Sequence, residues 1–269
     1  DTTDRNRTSP FAFTGNKFEF RMPGSNQNLS DTNYILNTAV AKALKDFVAV
    51  TENAADFECA AAAWVKQTLN EHRRVIFNGN GYSQAWEEEA ERRGLPNRKC
   101  TPDAMIALKD PKNIALMEEF GVLTKTEMLS RYEVEMEHYS KIINIEARTM
   151  LKIANKQLIP AATTYMGDVA STAAAKAAVS EGISVKAETK LLSRLSAFTD
   201  EMSDAADTLK EVTDKVSAME DEAAKAHAFH DEVLPAMARL RAAADETEEF
   251  CDEDYWPLPC YSRLLFYTE

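Results

Sequence analysis

Residues 195–226 read LSAFTDEMSDAADTLKEVTDKVSAMEDEAAKA, and this stretch decides the fold of the second half of the chain. Its apolar side chains recur at alternating spacings of three and four, which is the heptad pattern of a helix packed along a seam. The pattern predicts a coiled-coil helix, with the seam either intramolecular, as the simplest interpretation, or paired with another subunit. The seam positions are Leu195, Phe198, Met202, Ala205, Leu209, Val212, Val216, Met219, Ala223 and Ala226.

The sequence around this seam predicts two very long helices, at about 127–179 and about 187–249. Thr124 and Glu127 form a capping-box pattern at the start of the first helix, and Gly182 lies in the short connection. We therefore expect a long antiparallel helical hairpin.

Two prolines, Pro160 and Pro235, lie inside these helices. Proline lacks a backbone donor and clashes with the preceding turn, so each should kink its helix or divide it in two. After the second helix, residues 255–259 and 264–266 are too apolar for a free tail, and we expect them to dock on the folded chain.

The sequence of the first half of the chain predicts a different arrangement, a short hairpin followed by a layer of helices. Residues 11–22 read FAFTGNKFEFRM, two short aromatic segments around a glycine-containing turn, which is a hairpin signal. Apolar periodicity predicts helices at 34–50 and 57–70. Shorter helices follow, with starts expected at Ser83, Thr101-Pro102 and Asp110-Pro111 and ends at Gly94 and Gly121.

These patterns together predict an α+β fold that is predominantly α. We expect a short β-hairpin, a helical layer, and the long kinked antiparallel helical hairpin. The expected domains are residues 1–123 and residues 124–269, the latter comprising the hairpin and the docked tail.

The composition restricts the function. The 269 residues include 8 glycines, against about 19 for an average chain of this length, which argues against a complete enzyme with many glycine-rich loops. The net charge of -13 disfavours nucleic acid or a membrane surface as partner. No apolar run is long enough to span a bilayer, and the four cysteines show no metal-binding spacing, so we expect a cytoplasmic protein.

The second hairpin strand carries the most unusual chemistry. Alternation places Lys17, Glu19 and Arg21 on one face, and Phe18, Phe20 and Met22 on the other, which we expect to be core. The charged face has two interpretations. It is either an ordinary solvated strand face, or a charged cavity in which a carboxylate holds Mg²⁺ beside arginines that neutralise phosphate.

Residues 5–24, RNRTSPFAFTGNKFEFRMPG, resemble the late catalytic motif of type III glutamine synthetases. The resemblance extends over essentially the whole chain and corresponds to about the C-terminal third of that family, which implies that the chain is a segment of a longer polypeptide. Further matching segments are NYIL at 33–36, IFNGNGYS at 76–83, RRGLP at 92–96 and the Trp-Pro pair at 256–257.

This resemblance implies roles for the charged residues near the start of the chain. Glu19 would be a ligand of Mg²⁺ or Mn²⁺, and Arg21 would stabilise the transferring phosphoryl group. Arg5, Arg7 and Lys17 would lie near the phosphates of ATP. Ala12 and Phe13 stand where better-known types carry a further arginine, which leaves the nucleotide contacts less certain than the metal ligand.

The resemblance also implies that residues 1–123 are the C-terminal part of the family's catalytic domain, with the β-hairpin belonging to its catalytic sheet. It implies the reaction and the assembly as well. ATP would phosphorylate glutamate, ammonia would displace the phosphate to give glutamine, and the subunits would form a homo-oligomer of two stacked hexameric rings. The competing hypothesis is a non-enzymatic helical scaffold or oligomerisation module.

Three weaker signals have structural interpretations that we prefer. The turn at residues 77–82 lacks the lysine of a phosphate-binding loop. His227 and His230 have no third metal ligand nearby in sequence, and Cys251 and Cys260 are expected to be buried thiols.

Overall fold

The computed structural model describes residues 11–13, 17–21, 28–259 and 261–265. The chain divides into two compact units, residues 1–131 and 132–269, and the division falls inside one helix. The described elements, in chain order, are β1 (Phe11–Phe13), β2 (Phe18–Phe20), α1 (Leu29–Thr51), α2 (Phe57–Glu71), α3 (Gln84–Arg92), α4 (Thr101–Met105), α5 (Pro111–Glu119), α6 (Lys125–Ile153), α7 (Ile159–Val179), α8 (Lys186–Ser217), α9 (Glu222–Ala228), α10 (Leu234–Glu248) and α11 (Tyr261–Leu265).

The predicted fold class is confirmed, since helices dominate and the sheet in the described residues is a single antiparallel pair. Strands β1 and β2 pair with Phe11 opposite Phe20, Ala12 opposite Glu19 and Phe13 opposite Phe18. The hairpin expected from the sequence therefore forms.

Helix starts in the first unit follow local capping chemistry. The side chains of Asn28, Asp56, Ser83 and Asp110 accept hydrogen bonds from backbone N–H groups in the first turns of α1, α2, α3 and α5. The predicted caps at Ser83 and Asp110 are confirmed. For α4 the prediction was wrong by one residue, because Cys100 is the N-cap and makes no side-chain capping bond.

Two glycines end helices as predicted. Gly94 and Gly121 adopt φ values of 69° and 62°, in the left-handed region that glycine enters without steric cost. They follow α3 and α5, and the sequence analysis predicted that these two helices end at these glycines.

The first unit has a small core. Ile114, Met117 and Met128 are buried together, and Tyr34, Leu108 and Leu123 pack against them. Helix α1 buries only Thr38 and Thr51, and α2 has no buried residue. Both helices therefore present exposed apolar surface, which includes Val40, Leu44, Val48, Val65 and Leu69.

In the second unit, α6 and α7 run antiparallel to α8. Contacts at three levels fix this direction: Lys176 binds Glu188, Arg148 Nη2 lies 3.2 Å from Asp214 Oδ1, and Ser217 Oγ lies 3.4 Å from Asn144 Oδ1. The seam of α8 faces inward, as the heptad spacing predicts. Its fully buried positions are Leu195, Met202, Ala205, Leu209 and Val216.

The second long helix does not continue to residue 249, so that expectation was wrong. The chain turns between Ser217 and Glu222, and α9 and α10 run back along α8. Lys215 pairs with Glu232 at 2.6 Å, and Arg239 pairs with Glu201 at 2.8 Å. A third antiparallel segment therefore adds to the expected hairpin.

Both prolines divide their helices, as predicted. Residues Ala154–Leu158 and Phe229–Val233 form π-helical turns, and Pro160 and Pro235 stand in the first turns of α7 and α10. Because proline has no N–H to donate to the preceding turn, the backbone hydrogen-bond pattern of the helix widens there to the π-helical spacing.

The C-terminal tail docks through its aromatic residues. Trp256 is buried against the core of the second unit, while Tyr255 donates its hydroxyl hydrogen bond to Asp168 and packs 5.1 Å from the ring of Tyr165. Leu264 and Leu265 remain exposed, so the docking prediction holds only for the first part of the tail. Within the described ranges, no helix has the length and apolarity required to cross a membrane.

Candidate active site

The charged face of β2 brings two of the predicted site residues together. Arg21 Nε lies 3.0 Å and Nη2 2.7 Å from the same Glu19 oxygen, Oε2, so the guanidinium donates two hydrogen bonds to that atom. The side chains of Arg21 and Glu19 are 27% and 34% exposed. Strand alternation therefore placed them on one face as expected, within reach of a ligand on that side.

Ala12 is a neighbour of this pair that the sequence analysis did not assign to the site. It lies opposite Glu19 in the strand register and is fully buried. Directly opposed residues in an antiparallel pair share a face, so the smallest side chain of β1 lies on the same face as Glu19. The alternating aromatic residues around Ala12 were the signal that could have identified it.

Lys17 precedes β2 and is exposed. Its position two residues before Glu19 places it on the charged side by alternation. Arg5 and Arg7 lie outside the described residues, as does Met22. Among the predicted site residues, the structure therefore brings together Glu19 and Arg21.

The phenylalanine face was expected to be core, and this prediction was wrong for the described chain. Phe18 is 63% exposed, and Phe11 and Phe20 are each about half exposed. The rings pack on one another instead, with Phe11 5.2 Å from Phe18 and 6.2 Å from Phe20. Two strands of three residues offer too little area to bury such a face by themselves.

Few of the described side chains near Glu19 could act as ligands of a metal ion. Among the described residues, no group of three or more His, Cys, Asp or Glu side chains could hold a metal ion. Glu19 fits a hard divalent cation in ligand chemistry, because carboxylate oxygens are preferred by such ions. It fits as one ligand of a site that needs further donors.

The turn at residues 77–82 has a structural explanation. Asn80 accepts a hydrogen bond from the Tyr82 N–H at 3.1 Å, and Phe77 stacks on Trp86 at 4.2 Å. Arg93 donates to the carbonyl of Ile76 at 2.8 Å. A Cβ on Gly79 would lie 2.5 Å from the Phe77 ring, so this glycine permits the close packing of the turn.

The other weak signals lie in the second unit, where the described residues have local explanations. The His230 ring nitrogen lies 2.7 Å from Asp231 Oδ1. Cys251 is partly buried, and burial raises the pKa of its thiol to about 11, with the charge of Asp252 adding to the effect. Cys260 lies outside the described residues.

Comparison with known proteins identifies relatives along the whole chain. A family model of the glutamine synthetase C-terminal domain matches residues 60–177. A glutamine synthetase of Butyrivibrio fibrisolvens is 37% identical over 99% of this chain, and a type-3 glutamine synthetase of Dictyostelium discoideum is 35% identical over 99%. A glutamine synthetase of Bacteroides fragilis (strain YCH46) is 33% identical, again over 99%. The chain spans 38%, 37% and 38% of the lengths of these three relatives.

Proposed function

We propose that the chain belongs to the glutamine synthetase family as the C-terminal portion of a longer member, and that it forms part of an ATP-dependent ligase joining ammonia to glutamate. In this reaction ATP phosphorylates the side-chain carboxylate of glutamate, and ammonia displaces phosphate from the resulting γ-glutamyl phosphate. The observation that carries the proposal is the pairing of Glu19 and Arg21 on one strand face of a chain with these relatives.

Arg21 is the residue that would act on the phosphoryl group. Its guanidinium presents several N–H donors in one plane, which suits phosphoryl oxygens better than a single ammonium does. These donors now hold Glu19, so Arg21 would exchange a carboxylate for phosphoryl oxygens when substrates bind. A fixed cation at this place stabilises the charge that develops during transfer.

Glu19 is the residue that would hold Mg²⁺ or Mn²⁺. The ion, when bound, neutralises negative charge between the nucleotide and glutamate. Arg5, Arg7 and Lys17 would bind the nucleotide phosphates.

The proposed enzyme needs more than this chain. The described residues supply one carboxylate to the metal site, and the exposed apolar faces of α1 and α2 are surfaces that folded proteins usually cover. We propose that a complete cytoplasmic glutamine synthetase supplies the missing ligands and covers these faces, in a homo-oligomer of two stacked hexameric rings with active sites between subunits.

The test is Glu19→Gln in a complete glutamine synthetase that carries this sequence as its C-terminal portion. We expect glutamine formation to fall by at least about a hundredfold, because the neutral amide no longer neutralises a cation. Gel filtration should show an unchanged oligomer. Turnover within threefold of the parent enzyme would contradict the metal assignment.

Two controls accompany this measurement. Glu133→Gln removes the same charge from an exposed position of α6 and should leave turnover unchanged. The isolated 269-residue chain should not bind Mg-ATP, since too few ligands are present. Micromolar binding by the isolated chain would show that the site is more complete than proposed.

A further inference from the structure

A cavity of about 430 Å³ lies in the second unit, far along the chain from the charged strand. Its volume falls within the range of pockets that hold small molecules. It is bordered by the end of α6, the π-helical turn that follows, α10, the docked part of the tail, and the exposed Leu264 of α11. The wall is mainly apolar, with Met150, Ile153, Leu158, Leu240, Leu258 and Leu264 supplying the aliphatic side chains.

One buried donor at this wall lacks a partner. Trp256 lines the cavity and is only 6% exposed. Its indole N–H is buried and finds no hydrogen-bond acceptor among the described residues. Buried indole N–H groups usually have an acceptor, so an oxygen atom of a bound molecule would satisfy this group after a small rotation of the ring into the cavity.

The polar rim of the cavity is negative. Arg241 and Asp245 form an ion pair, with the Nε to Oδ1 distance 2.6 Å. Glu248, one turn further along α10, is partly buried and has no ion-pair partner in the part of the chain that the structure describes. With one arginine against two carboxylates, the rim favours a cationic group over an anionic one.

The backbone beside the cavity is irregular. Ala154 and Leu158 line it, and they are the first and last residues of the π-helical turn before α7. π-helical turns occur frequently at functional sites. The cavity thus combines a widened helix, an unsatisfied donor and an unpaired carboxylate.

We propose that this cavity binds a small amphipathic amine. The apolar body of the ligand would contact the aliphatic wall, its ammonium would lie beside Glu248, and a hydroxyl or carbonyl oxygen would accept the hydrogen bond of Trp256. This inference does not depend on the proposed ligase function, because none of the cavity residues belongs to the charged strand.

The test uses tyramine as the probe and, as the protein, a complete polypeptide that carries this sequence as its C-terminal portion. Binding is measured by isothermal titration calorimetry at pH 7. Tyramine carries an ammonium, an apolar ring and a hydroxyl. We expect saturable 1:1 binding with Kd below about 1 mM. 4-Hydroxyphenylacetate, which replaces the ammonium by a carboxylate, should bind at least about tenfold more weakly.

Two variants test the assigned contacts. Glu248→Gln should weaken tyramine binding by about fivefold or more, and Trp256→Phe, which keeps an aromatic ring and removes the N–H, by about fivefold. Glu246→Gln removes the same charge from an exposed position of α10 outside the cavity and should leave Kd unchanged. Circular dichroism and thermal melting establish that each variant is folded.

The proposal is overturned by any of three binding results. These are no saturation by tyramine up to about 5 mM, equal binding of 4-hydroxyphenylacetate, or a folded Glu248→Gln variant with parental affinity. Self-association of the chain that closes the cavity, detected by light scattering and unchanged by tyramine, would also count against a small-molecule ligand. Glutamine formation plays no part in these measurements, so their failure would leave the ligase proposal intact.

Discussion

At the scale of single residues, the Glu19–Arg21 pair contributes little to folding. Both side chains remain partly exposed, and ion pairs of this exposure contribute at most about 1 kcal/mol. A variant that loses the pair should therefore keep its fold. A large loss of glutamine formation in such a variant would report on chemistry rather than on unfolding.

Cys251 provides a second test at this scale. Because burial raises the pKa of its thiol to about 11, little reactive thiolate exists at pH 8. We expect iodoacetamide to modify Cys251 at least about tenfold more slowly than the exposed Cys59, as measured by peptide mass spectrometry over time. Cys59 serves as the internal control, and equal rates would contradict the prediction.

The same pKa shift has a consequence for stability. The pKa is raised in the fold, so the folded chain favours the neutral thiol, and this contribution is fully present below the unfolded pKa of about 9. It is lost as the pH rises through about 11. The difference in stability between the parent and Cys251→Ser should therefore shrink over this interval.

At the scale of elements, short polar side chains determine where helices begin. Ser83 and Asp110 were recognisable because proline or a turn stands next to them. Asp221 was missed, although Glu220, Asp221 and Glu222 form an acidic run of the kind that favours a helix start. Its carboxylate accepts a hydrogen bond from the Ala224 N–H at 2.7 Å, which stabilises the reversal between α8 and α9.

Asp221→Ala should therefore destabilise the second unit. Loss of an N-cap costs about 1 kcal/mol, because a backbone donor in the first turn loses its acceptor. Urea unfolding followed by circular dichroism measures the change in the free energy of unfolding. Asp221→Asn keeps a capping oxygen and should cost markedly less, and an equal loss in both variants would show that capping is not the cause.

The buried face of α8 was predicted correctly from its heptad spacing. Leu195, Met202, Leu209 and Val216 recur every seven residues and are all fully buried. The periodicity identified the buried face, and the contacts of α8 with α7 and α10 show that a single helix serves two neighbours. The intramolecular interpretation of the seam therefore describes these positions.

At the scale of the whole molecule, the exposed apolar surface of α1 and α2 departs from the surface of an ordinary folded chain. Val40 and Leu44 are 57% and 58% exposed, one helical turn apart. A surface of this kind usually marks an interface. In the proposed enzyme, it would be covered by the remaining part of the glutamine synthetase.

The double variant Val40→Asp/Leu44→Asp tests this role. Because both side chains are exposed, the isolated chain should lose less than about 1 kcal/mol of stability. The complete enzyme should fail to assemble, since two carboxylates would be buried without partners. Native mass spectrometry measures the assembly, and glutamine formation measures its consequence.

Val179→Asp is the matched control for that experiment. Val179 is also highly exposed, but it lies at the end of α7, away from α1 and α2 in the chain. The Val179→Asp variant should leave the assembly of the complete enzyme unchanged. A Val40→Asp/Leu44→Asp enzyme that assembles and turns over normally would show that this surface is not covered.

The sequence by itself determined the parts of the protein that depend on neighbours along the chain. Heptad spacing located the seam of α8, prolines located the two places where the long helices divide, and glycines with left-handed φ ended α3 and α5. Strand alternation placed Glu19 and Arg21 on one face. Each of these outcomes follows from backbone geometry over a few residues.

Only the tertiary structure decided which of these surfaces meet. It reversed the chain after Ser217, left Phe18 and its neighbours exposed, and formed a cavity between Trp256 and the π-helical turn before α7. Apolar periodicity identifies a face that favours burial, but burial itself requires a second surface, and that surface comes from residues distant in sequence.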